Sequence, residues 1–259
     1  MNLWTFAYEG FDPAEEGLRE ALCTLGNGYF ATRGAAPEAA ADGVHYPGTY
    51  VAGCYNRLVS RIAGREVENE DLVNAPNWLP LTFRPAGGDW LDLRQVEVLA
   101  YRQELDLREG VLTRFLRARD REGRGTSLTR RFVSMADMHQ AAMQWTITPE
   151  NWSGKVEVIS ALDGRVTNAG VARYRELDGH HLRPVEEGEA SEDTVWLVVE
   201  TRSSHVRVAQ AARTRVLRDG TPVASASAAS SPLTMRPAIA SCLTTGDRSS
   251  RATRSRRPW

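Results

Sequence analysis

Short β-rich runs, separated by turn residues, constrain the fold of this chain more than any other feature of its sequence. Residues 111–119 (VLTRFLRAR) and 128–136 (LTRRFVSMA) flank the polar segment 120–125 (DREGRG), a pattern typical of a β-hairpin. Four further runs are predicted to be strands: residues 142–148, 155–160, 195–201 and 205–209. Because no long amphipathic helix interrupts these runs, the sequence predicts an all-β protein, built as an antiparallel sandwich.

The two ends of the chain depart from this pattern. Residues 15–25 are predicted to form one short helix, with Asp12 and Pro13 as its cap and first turn. The rest of the first hundred residues is expected to be less regular, with Gly-, Pro- and Asn-rich irregular connectors between short apolar pieces. From residue 223 onward Ser, Ala, Arg, Thr and Pro dominate, and such a segment buries too little apolar surface to offset its ordering entropy. We therefore expect a β-sandwich domain over residues 1–222 and a disordered tail over residues 223–259. The abrupt change in composition favours a frameshifted origin for the tail over a natural basic segment.

Composition argues against several classes of protein. Hydrophobic residues make up 42% of the chain, charged residues 25%, and the net charge is −1, so neither a nucleic-acid nor a membrane partner is expected. The first residues have neither the basic start nor the apolar run of a signal peptide. Cys23, Cys54 and Cys242, like the adjacent His180 and His181, lack metal-ligand spacing. We expect a soluble, cytoplasmic protein with reduced thiols and no metal site.

Three segments in the first part of the chain carry side chains suited to sugar binding. Residues 25–34 (LGNGYFATRG) contain an Asn-Gly pair, residues 46–56 (YPGTYVAGCYN) three tyrosines near Asn56, and residues 72–81 (LVNAPNWLPL) a Trp on a loop stiffened by two prolines. Aromatic rings suit the apolar face of a hexose, and amides suit its hydroxyls. Each segment has a structural alternative, namely a plain hairpin turn, a cover over the end of the sandwich, and an interdomain packing surface.

Together with residues 134–154 (SMADMHQAAMQWTITPENWSG) and 160–168 (SALDGRVTN), these segments resemble the start of glycoside hydrolase family 65. That family groups maltose, trehalose and kojibiose phosphorylases with acid trehalases. The five segments occur in the family's order and cover about residues 15–217, which makes the resemblance specific. It implies an N-terminal super-sandwich of the galactose-mutarotase type, followed by a linker and an (α/α) barrel that holds the active site.

The resemblance also implies the chemistry of the intact enzyme. Family phosphorylases cleave an α-glucosyl disaccharide with inversion, using inorganic phosphate as the co-substrate and no other cofactor, while a barrel glutamate protonates the leaving oxygen. We expect this chain to lack the barrel, so no catalytic residue is assigned. One acidic cluster is expected to lie in a solvated loop rather than in an active site: Glu186, Glu187, Glu189 and Glu192.

Two functions stay open at the level of sequence. The first is the N-terminal domain of a glycoside phosphorylase or hydrolase, truncated before the barrel and inactive alone. Its residues nearest the substrate or the barrel would be Arg33, Tyr50, Asn77 and Trp78. The second is a stand-alone carbohydrate-binding or oligomerisation module, with a homodimer as one form. A domain built to pack on a barrel is expected to leave apolar residues uncovered. Neither the disaccharide nor the choice between phosphorolysis and hydrolysis follows from this sequence.

Overall fold

Antiparallel strands make up almost all of the regular structure of the protein. The computed structural model describes residues 3–169, 176–223, 226–227, 238–239 and 242–244. Within these ranges one short helix, α1 (Glu16–Leu22), accompanies the strands, and no helix has the length and apolar character needed to span a bilayer. The strands are β1 (Thr5–Glu9), β2 (Leu25–Gly26), β3 (Phe30–Thr32), β4 (Thr49–Ile62), β5 (Arg65–Ala75), β6 (Leu81–Pro85), β7 (Glu97–Asp106), β8 (Val111–Arg119), β9 (Thr126–Val133), β10 (Ala141–Ile147), β11 (Gly154–Ser160), β12 (Leu182–Ser191), β13 (Thr194–Thr201), β14 (Arg207–Arg213), β15 (Leu217–Arg218), β16 (Thr221–Pro222), β17 (Ala226–Ser227), β18 (Ala238–Ile239) and β19 (Cys242–Thr244).

The strands form four principal sheets and two ribbons. The sheets have the strand orders β1-β7-β8-β9-β10, β2-β3-β4-β5, β6-β11-β19 and β12-β13-β14, and the ribbons are β15-β16 and β17-β18. Neighbouring strands in the described residues pair antiparallel. Because apolar side chains on one face of each sheet pack against another element, the sheets form the super-sandwich. The predicted all-β fold class is confirmed.

The hairpin predicted around residues 120–125 is confirmed, and a side chain in the turn explains it. Strand β8 has the predicted bounds, and β9 pairs with it. Between them the Asp120 carboxylate accepts the backbone N–H groups of Glu122 and Arg124, each at 2.9 Å, and the Arg124 guanidinium at 2.9 Å. An aspartate that bonds to the backbone two residues ahead favours a turn. The four other predicted strands correspond to β10, β11, β13 and β14.

Several boundaries differ from the predictions: α1 ends at Leu22 rather than at residue 25, and β9 spans Thr126–Val133 rather than residues 128–136. Helix α1 begins at Glu16, with Glu15 at the N-cap position, so the expected cap at Asp12 was wrong. Asp12 instead uses its side chain to close the preceding turn. Strand β14 begins at Arg207 rather than at His205, because His205 has a φ of +55°, a left-handed conformation that interrupts a strand.

The expectation of irregular connectors was wrong for the β4–β5 hairpin, whose strands have 14 and 11 residues. Inward-facing and outward-facing side chains alternate along the second half of β4, and the inward ones are Cys54, Asn56, Leu58 and Ser60. Because Asn56 and Ser60 are polar, they break the apolar alternation by which a strand is recognised. The pairing register also shifts between Tyr50 and Tyr55, where Gly53 takes a φ of +77° and forms a bulge.

The hydrophobic core consists of clusters that lie between sheets. One cluster joins the five-stranded sheet to the segment that follows α1, through Cys23, Leu25, Leu105, Leu112 and Val133. Another joins β4 and β5 to β12 and β13, through Cys54, Val73, Leu182, Leu197 and Val199. A third covers β7 and β8 with the connection that precedes β7, through Tyr101, Leu116 and Ala118. Each cluster excludes water from the inner face of at least one sheet, which is what stabilises these sheets.

Short strands also occur between residues 223 and 259, where the sequence predicted disorder. Strand β19 pairs with β11, and β17 pairs with β18. The remaining residues of this segment, 224–225, 228–237, 240–241 and 245–259, lie outside the described residues. The boundary at residue 222 and the frameshifted origin of the tail stay predictions.

The acidic cluster lies on a strand, so the expectation of a loop was wrong. Glu186, Glu187 and Glu189 belong to β12, and Glu192 lies in the turn that leads to β13. All four side chains are exposed, as predicted. Strand β12 is an edge strand of its sheet, and charges on an edge oppose pairing with a strand from another molecule.

Leu112 and Leu107 provide a test of where the core lies. Leu112 is 3% exposed and belongs to the first core cluster, whereas Leu107 is 55% exposed. Replacing Leu112 with Ala should lower the free energy of unfolding by about 3 kcal/mol, because it removes buried methyl groups and leaves a cavity. Replacing Leu107 with Ala should change it by less than about 0.5 kcal/mol. Urea unfolding of both variants measures the difference, and equal losses would contradict this packing.

Candidate functional site

The five segments of the sequence resemblance contact one another, and asparagine side chains make several of the connections. Asn27, in the turn between β2 and β3, donates its amide to the carbonyl oxygens of Ser134 and Met138 at 2.7 and 3.0 Å. Its Oδ1 accepts the N–H group of Tyr29 at 3.0 Å, and Gly28 takes a φ of +85°, which glycine adopts without strain. The Asn-Gly pair therefore builds a hairpin turn and also attaches it to the loop after β9.

Asn74 and Asn168 make a second connection, between β5 and the loop that follows β11. The Asn168 side chain accepts the N–H group of Asn74 at 2.8 Å and donates to the carbonyl oxygen of Leu72 at 2.8 Å. The Asn74 side chain accepts the N–H group of Thr49 at 3.0 Å and donates to the carbonyl oxygen of Thr167 at 3.1 Å. Both ends of each amide thus bond to the protein itself, so these side chains act as connectors of the backbone.

Asn56 has a similar structural role, although the sequence placed it beside possible sugar-binding tyrosines. Its Oδ1 accepts the N–H groups of Ser203 and Ser204 at 2.9 and 3.0 Å, and its amide nitrogen lies 3.0 Å from Nδ1 of His181. The other ring nitrogen of His181 lies 3.2 Å from Oδ2 of Asp71. Burial lowers the pKa of His181 and so favours the neutral ring. This series of contacts ties the β4–β5 hairpin to β12 and β13.

Arg33 and Tyr50 share one group of polar side chains beside α1. The Arg33 guanidinium donates to the carbonyl oxygen of Gly17 at 3.0 Å and lies 5.4 Å from the ring centre of Tyr46. The Tyr50 hydroxyl donates to that of Tyr46 at 3.0 Å, and the Tyr46 hydroxyl donates to the carbonyl oxygen of Thr167 at 3.3 Å. Burial raises the pKa of Tyr50, so its hydroxyl keeps its proton. We call Arg33, Tyr46 and Tyr50 the Arg-Tyr cluster; Tyr50 lies on β4.

Glu20, a buried residue of α1, anchors the Arg-Tyr cluster. Its Oε1 lies 2.8 Å from Nδ1 of His45, its Oε2 accepts the N–H group of Tyr46 at 2.9 Å, and the Arg33 guanidinium is 3.8 Å away. The hydrogen bond to Glu20 raises the pKa of His45 and outweighs the opposite effect of burial. The Nε of Arg33 is buried and has no partner in the described residues. The cluster therefore has unused hydrogen-bond donor capacity on Arg33.

Asn77 and Trp78 have different surroundings from each other. The backbone of Asn77 exchanges two hydrogen bonds with Asp163, at 2.8 and 2.9 Å, and its Oδ1 accepts the N–H group of Leu79 at 3.0 Å. These contacts give Asn77 a role in shaping the loop. Trp78 is half-buried, and its indole N–H is buried without an acceptor in the part of the chain that the structure describes. The assignment of these positions to a substrate or barrel contact stays a prediction.

Sequence reasoning missed the charged side chains that α1 buries. Glu16, Arg19 and Glu20 face the interior, whereas Leu18 and Leu22 are 55% and 50% exposed. A surface helix normally has the reverse arrangement, with its apolar stripe on the core. The signal was present in the sequence EEGLREAL, where the charges occupy the i, i+3 and i+4 spacing usually taken by core residues. The exposed apolar face of α1 is thus available to another surface.

A second exposed apolar area lies where the first and fourth segments meet. Tyr29, Met135 and Met138 are all exposed, Met135 the most at 78%. The ring of Tyr29 packs edge-on against His139, with ring centres 4.5 Å apart, and the Asn27 bonds hold the two loops together. We call Tyr29, Met135 and Met138 the Tyr29 patch. Within the described residues, no group of three or more potential metal ligands occurs.

Comparison with known proteins finds relatives over most of the chain. The family model for the N-terminal domain of glycosyl hydrolase family 65 matches residues 6–246. An uncharacterized glycosyl hydrolase from Mycobacterium tuberculosis is 51% identical over 218 residues, which are 84% of this chain and 16% of that protein. Kojibiose phosphorylase from Caldanaerobacter subterraneus subsp. tengcongensis is 30% identical over 82% of this chain and 26% of its own length. Trehalose 6-phosphate phosphorylase from Lactococcus lactis subsp. lactis is 32% identical, with coverages of 78% and 26%.

A solved structure assigned as a kojibiose phosphorylase from the human microbiome has the same fold. It superimposes with a TM-score of 0.72 at 20% sequence identity, over 83% of this chain and 28% of that one. The chain therefore spans between 16% and 28% of the length of the relatives described here. The family match also continues past residue 222, to residue 246.

The pair formed by His45 and Glu20 should make stability depend on pH. Because the folded protein raises the pKa of His45 above its ordinary value of 6.5, the charged ring stabilises the fold below that pH, and this contribution is lost as pH rises through the folded-state pKa. The free energy of unfolding should therefore fall by on the order of 1 kcal/mol more in the native chain than in His45→Gln between about pH 6 and pH 8. Urea unfolding across this range measures it. The pKa shift of His181 has the opposite sign but is present in both proteins, so it cancels in the comparison. Identical pH profiles of the two proteins would refute the raised pKa of His45.

Proposed function

Because this chain belongs to the N-terminal domain family of glycosyl hydrolase family 65, we propose that it is the accessory domain of an enzyme that acts on α-glucosyl disaccharides. The observation that carries the proposal is the family match over residues 6–246. Several relatives are named as phosphorylases of kojibiose, trehalose 6-phosphate, trehalose or maltose. By this analogy the substrate is an α-linked glucosyl disaccharide and inorganic phosphate the co-substrate, while the catalytic acid belongs to another domain.

The described carboxylates support a non-catalytic role. Glycoside cleavage needs a carboxyl group that holds a proton near neutral pH and reaches the glycosidic oxygen. Burial raises the pKa of Glu16, but Glu16 is enclosed, and it accepts hydrogen bonds from Arg19 and Tyr101 at 3.2 Å each. The buried carboxylates of Glu20 and Glu38 also bond to other side chains. These three buried carboxylates therefore bond to the protein itself and are not exposed to a substrate.

Two exposed apolar surfaces support packing against a catalytic domain. They are the outer face of α1, with Leu18 and Leu22, and the Tyr29 patch. Burying such side chains stabilises a contact by roughly 25 cal/mol per Å² of apolar area. Cys23 and Cys54 are buried thiols, which supports the proposed location in the reducing cytoplasm.

An oligomerisation domain is the second candidate function. The same Tyr29 patch supports it, because exposed apolar areas can pair with a copy of themselves in a symmetric dimer. A homodimer would reach a limiting mass of two chains as concentration rises, whereas an uncovered catalytic-domain surface would associate without a fixed stoichiometry.

A phosphorolysis assay tests the accessory role. The purified 259-residue chain, mixed with inorganic phosphate and kojibiose, trehalose or maltose, should release no glucose 1-phosphate above a protein-free blank. The kojibiose phosphorylase from Caldanaerobacter serves as the positive control with kojibiose. Phosphate-dependent release of glucose 1-phosphate from any of these sugars by the chain alone would refute the proposal that catalysis resides elsewhere.

Light scattering tests the exposed apolar area. The isolated chain should increase in average mass with concentration, because the Tyr29 patch is uncovered. Replacing Met135 and Met138 with Lys should abolish most of that increase. The matched control is Val59→Lys, at a position that is 56% exposed on β4. A chain that stays monomeric at every concentration, or a control that has the same effect, would contradict a role for this patch.

A further inference from the structure

An aromatic cleft lies outside the set of candidate site residues named from the sequence, since none of Arg33, Tyr50, Asn77 and Trp78 lines it. Three connections meet there: the one between β6 and β7, the turn between β8 and β9, and the one between β10 and β11. Trp90 and Trp152 line the cleft, together with Phe83 and Leu91. It encloses about 80 Å³ and is open on one side. This volume limits the occupant to one small ring that rests partly in solvent.

Cation–π contacts hold the two tryptophan rings in place. The Arg84 guanidinium lies 4.7 Å from the ring centre of Trp90, and Arg84 is itself held by Glu157 at 2.6 Å. The Arg124 guanidinium lies 5.7 Å from the ring centre of Trp152 and bonds to the carboxylate of Asp120. Both rings are therefore pre-positioned, which lowers the entropy cost of binding a ligand against them.

Unused polar groups lie beside these rings. Asp89 and Arg121 line the cleft, are exposed, and form no hydrogen bond or ion pair with any residue that the structure describes. The indole N–H of Trp152 is buried and also lacks an acceptor in the described residues. An unpaired buried donor costs free energy, which an oxygen atom supplied by a ligand would relieve. The cleft thus combines apolar ring surface with an acceptor and donors that have no protein partner.

We propose that this cleft is a non-catalytic subsite for one glucopyranose ring of a glucosyl saccharide. A pyranose has an apolar face of C–H groups that packs on an indole ring, and hydroxyl groups that bond to a carboxylate and a guanidinium. A purely apolar ligand would displace water from Asp89 without replacing its hydrogen bonds, and a free anion would be repelled by the Asp89 carboxylate. The choice of glucose rests on the proposed function, but the site itself rests on the geometry. The subsite would hold a saccharide near the enzyme without taking part in bond cleavage.

Isothermal titration of the full chain with maltose tests the proposal, with sorbitol as an acyclic polyol that has no ring face. We expect saturable binding of maltose with a dissociation constant on the order of 1 mM, and none of sorbitol. Replacing Asp89 with Asn or Arg121 with Gln should weaken binding at least several-fold. Each change removes the charged group proposed to hydrogen-bond to a sugar hydroxyl, and both side chains are exposed, so the fold should be unaffected. The matched control is Asp219→Asn, at an exposed position that does not line the cleft, and it should bind maltose as the native chain does.

A variant that removes one of the two tryptophan rings of the cleft completes the test. Trp90→Ala should abolish binding, whereas Trp4→Ala, at another partly exposed tryptophan, should not; circular dichroism reports whether each variant folds. If Trp90→Ala is unfolded, the Asp89 and Arg121 variants decide. Absence of saturable heat up to about 10 mM, or binding that survives all the cleft substitutions, would overturn the subsite. Such a result would leave the accessory role intact, since that role is tested by phosphorolysis.

Discussion

Hydrogen bonds from asparagine side chains to backbone groups remote in sequence hold this fold together where its segments meet. Asn74 and Asn168 join β5 to the loop after β11, and Asn56 joins β4 to the residues that follow β13. Each bond contributes a net of only about 1 kcal/mol, but a buried partner left unpaired costs about 1–3 kcal/mol. Because the amides use both their donor and their acceptor ends, the loops they join take a single arrangement. Asn56, Asn74 and Asn168 thus have a structural role.

Helix α1 buries its charged side chains and exposes its apolar ones. Glu16, Arg19 and Glu20 are buried against the five-stranded sheet and the 33–50 region, while Leu18 and Leu22 face outward. Buried ion pairs are weak stabilisers, since desolvation offsets most of their attraction. Their consequence here is geometric, because a helix that directs its polar side chains inward must present its apolar ones to the outside. This apolar face is one of the two surfaces that we propose pack against a catalytic domain.

Aromatic side chains fall into two separate regions with different chemistry. In the Arg-Tyr cluster the two tyrosine hydroxyls bond to each other and to a backbone carbonyl, so little of their capacity is free. In the cleft of Trp90 and Trp152 the polar groups at the edge have no protein partner among the described residues. A ligand gains most from protein groups that have no protein partner, because no bond within the protein has to break before it binds. The proposed saccharide subsite is therefore assigned to the cleft and not to the Arg-Tyr cluster.

The sequence by itself determined the fold class, the hairpin around residues 120–125 and the family. The fold class and the hairpin depend on local alternation and on turn-forming residues such as Asp120, which involve residues close together in the sequence. The family depends on the order of five segments along the chain. Only the tertiary structure decided which groups Asn56, Asn74 and Asn77 bond to, because their partners lie far along the chain or depend on the loop geometry. It also decided the inverted face of α1 and the meeting of Trp90 with Trp152. These features arise from contacts between distant segments, and the periodicity of any one segment carries no information about which surface it will meet.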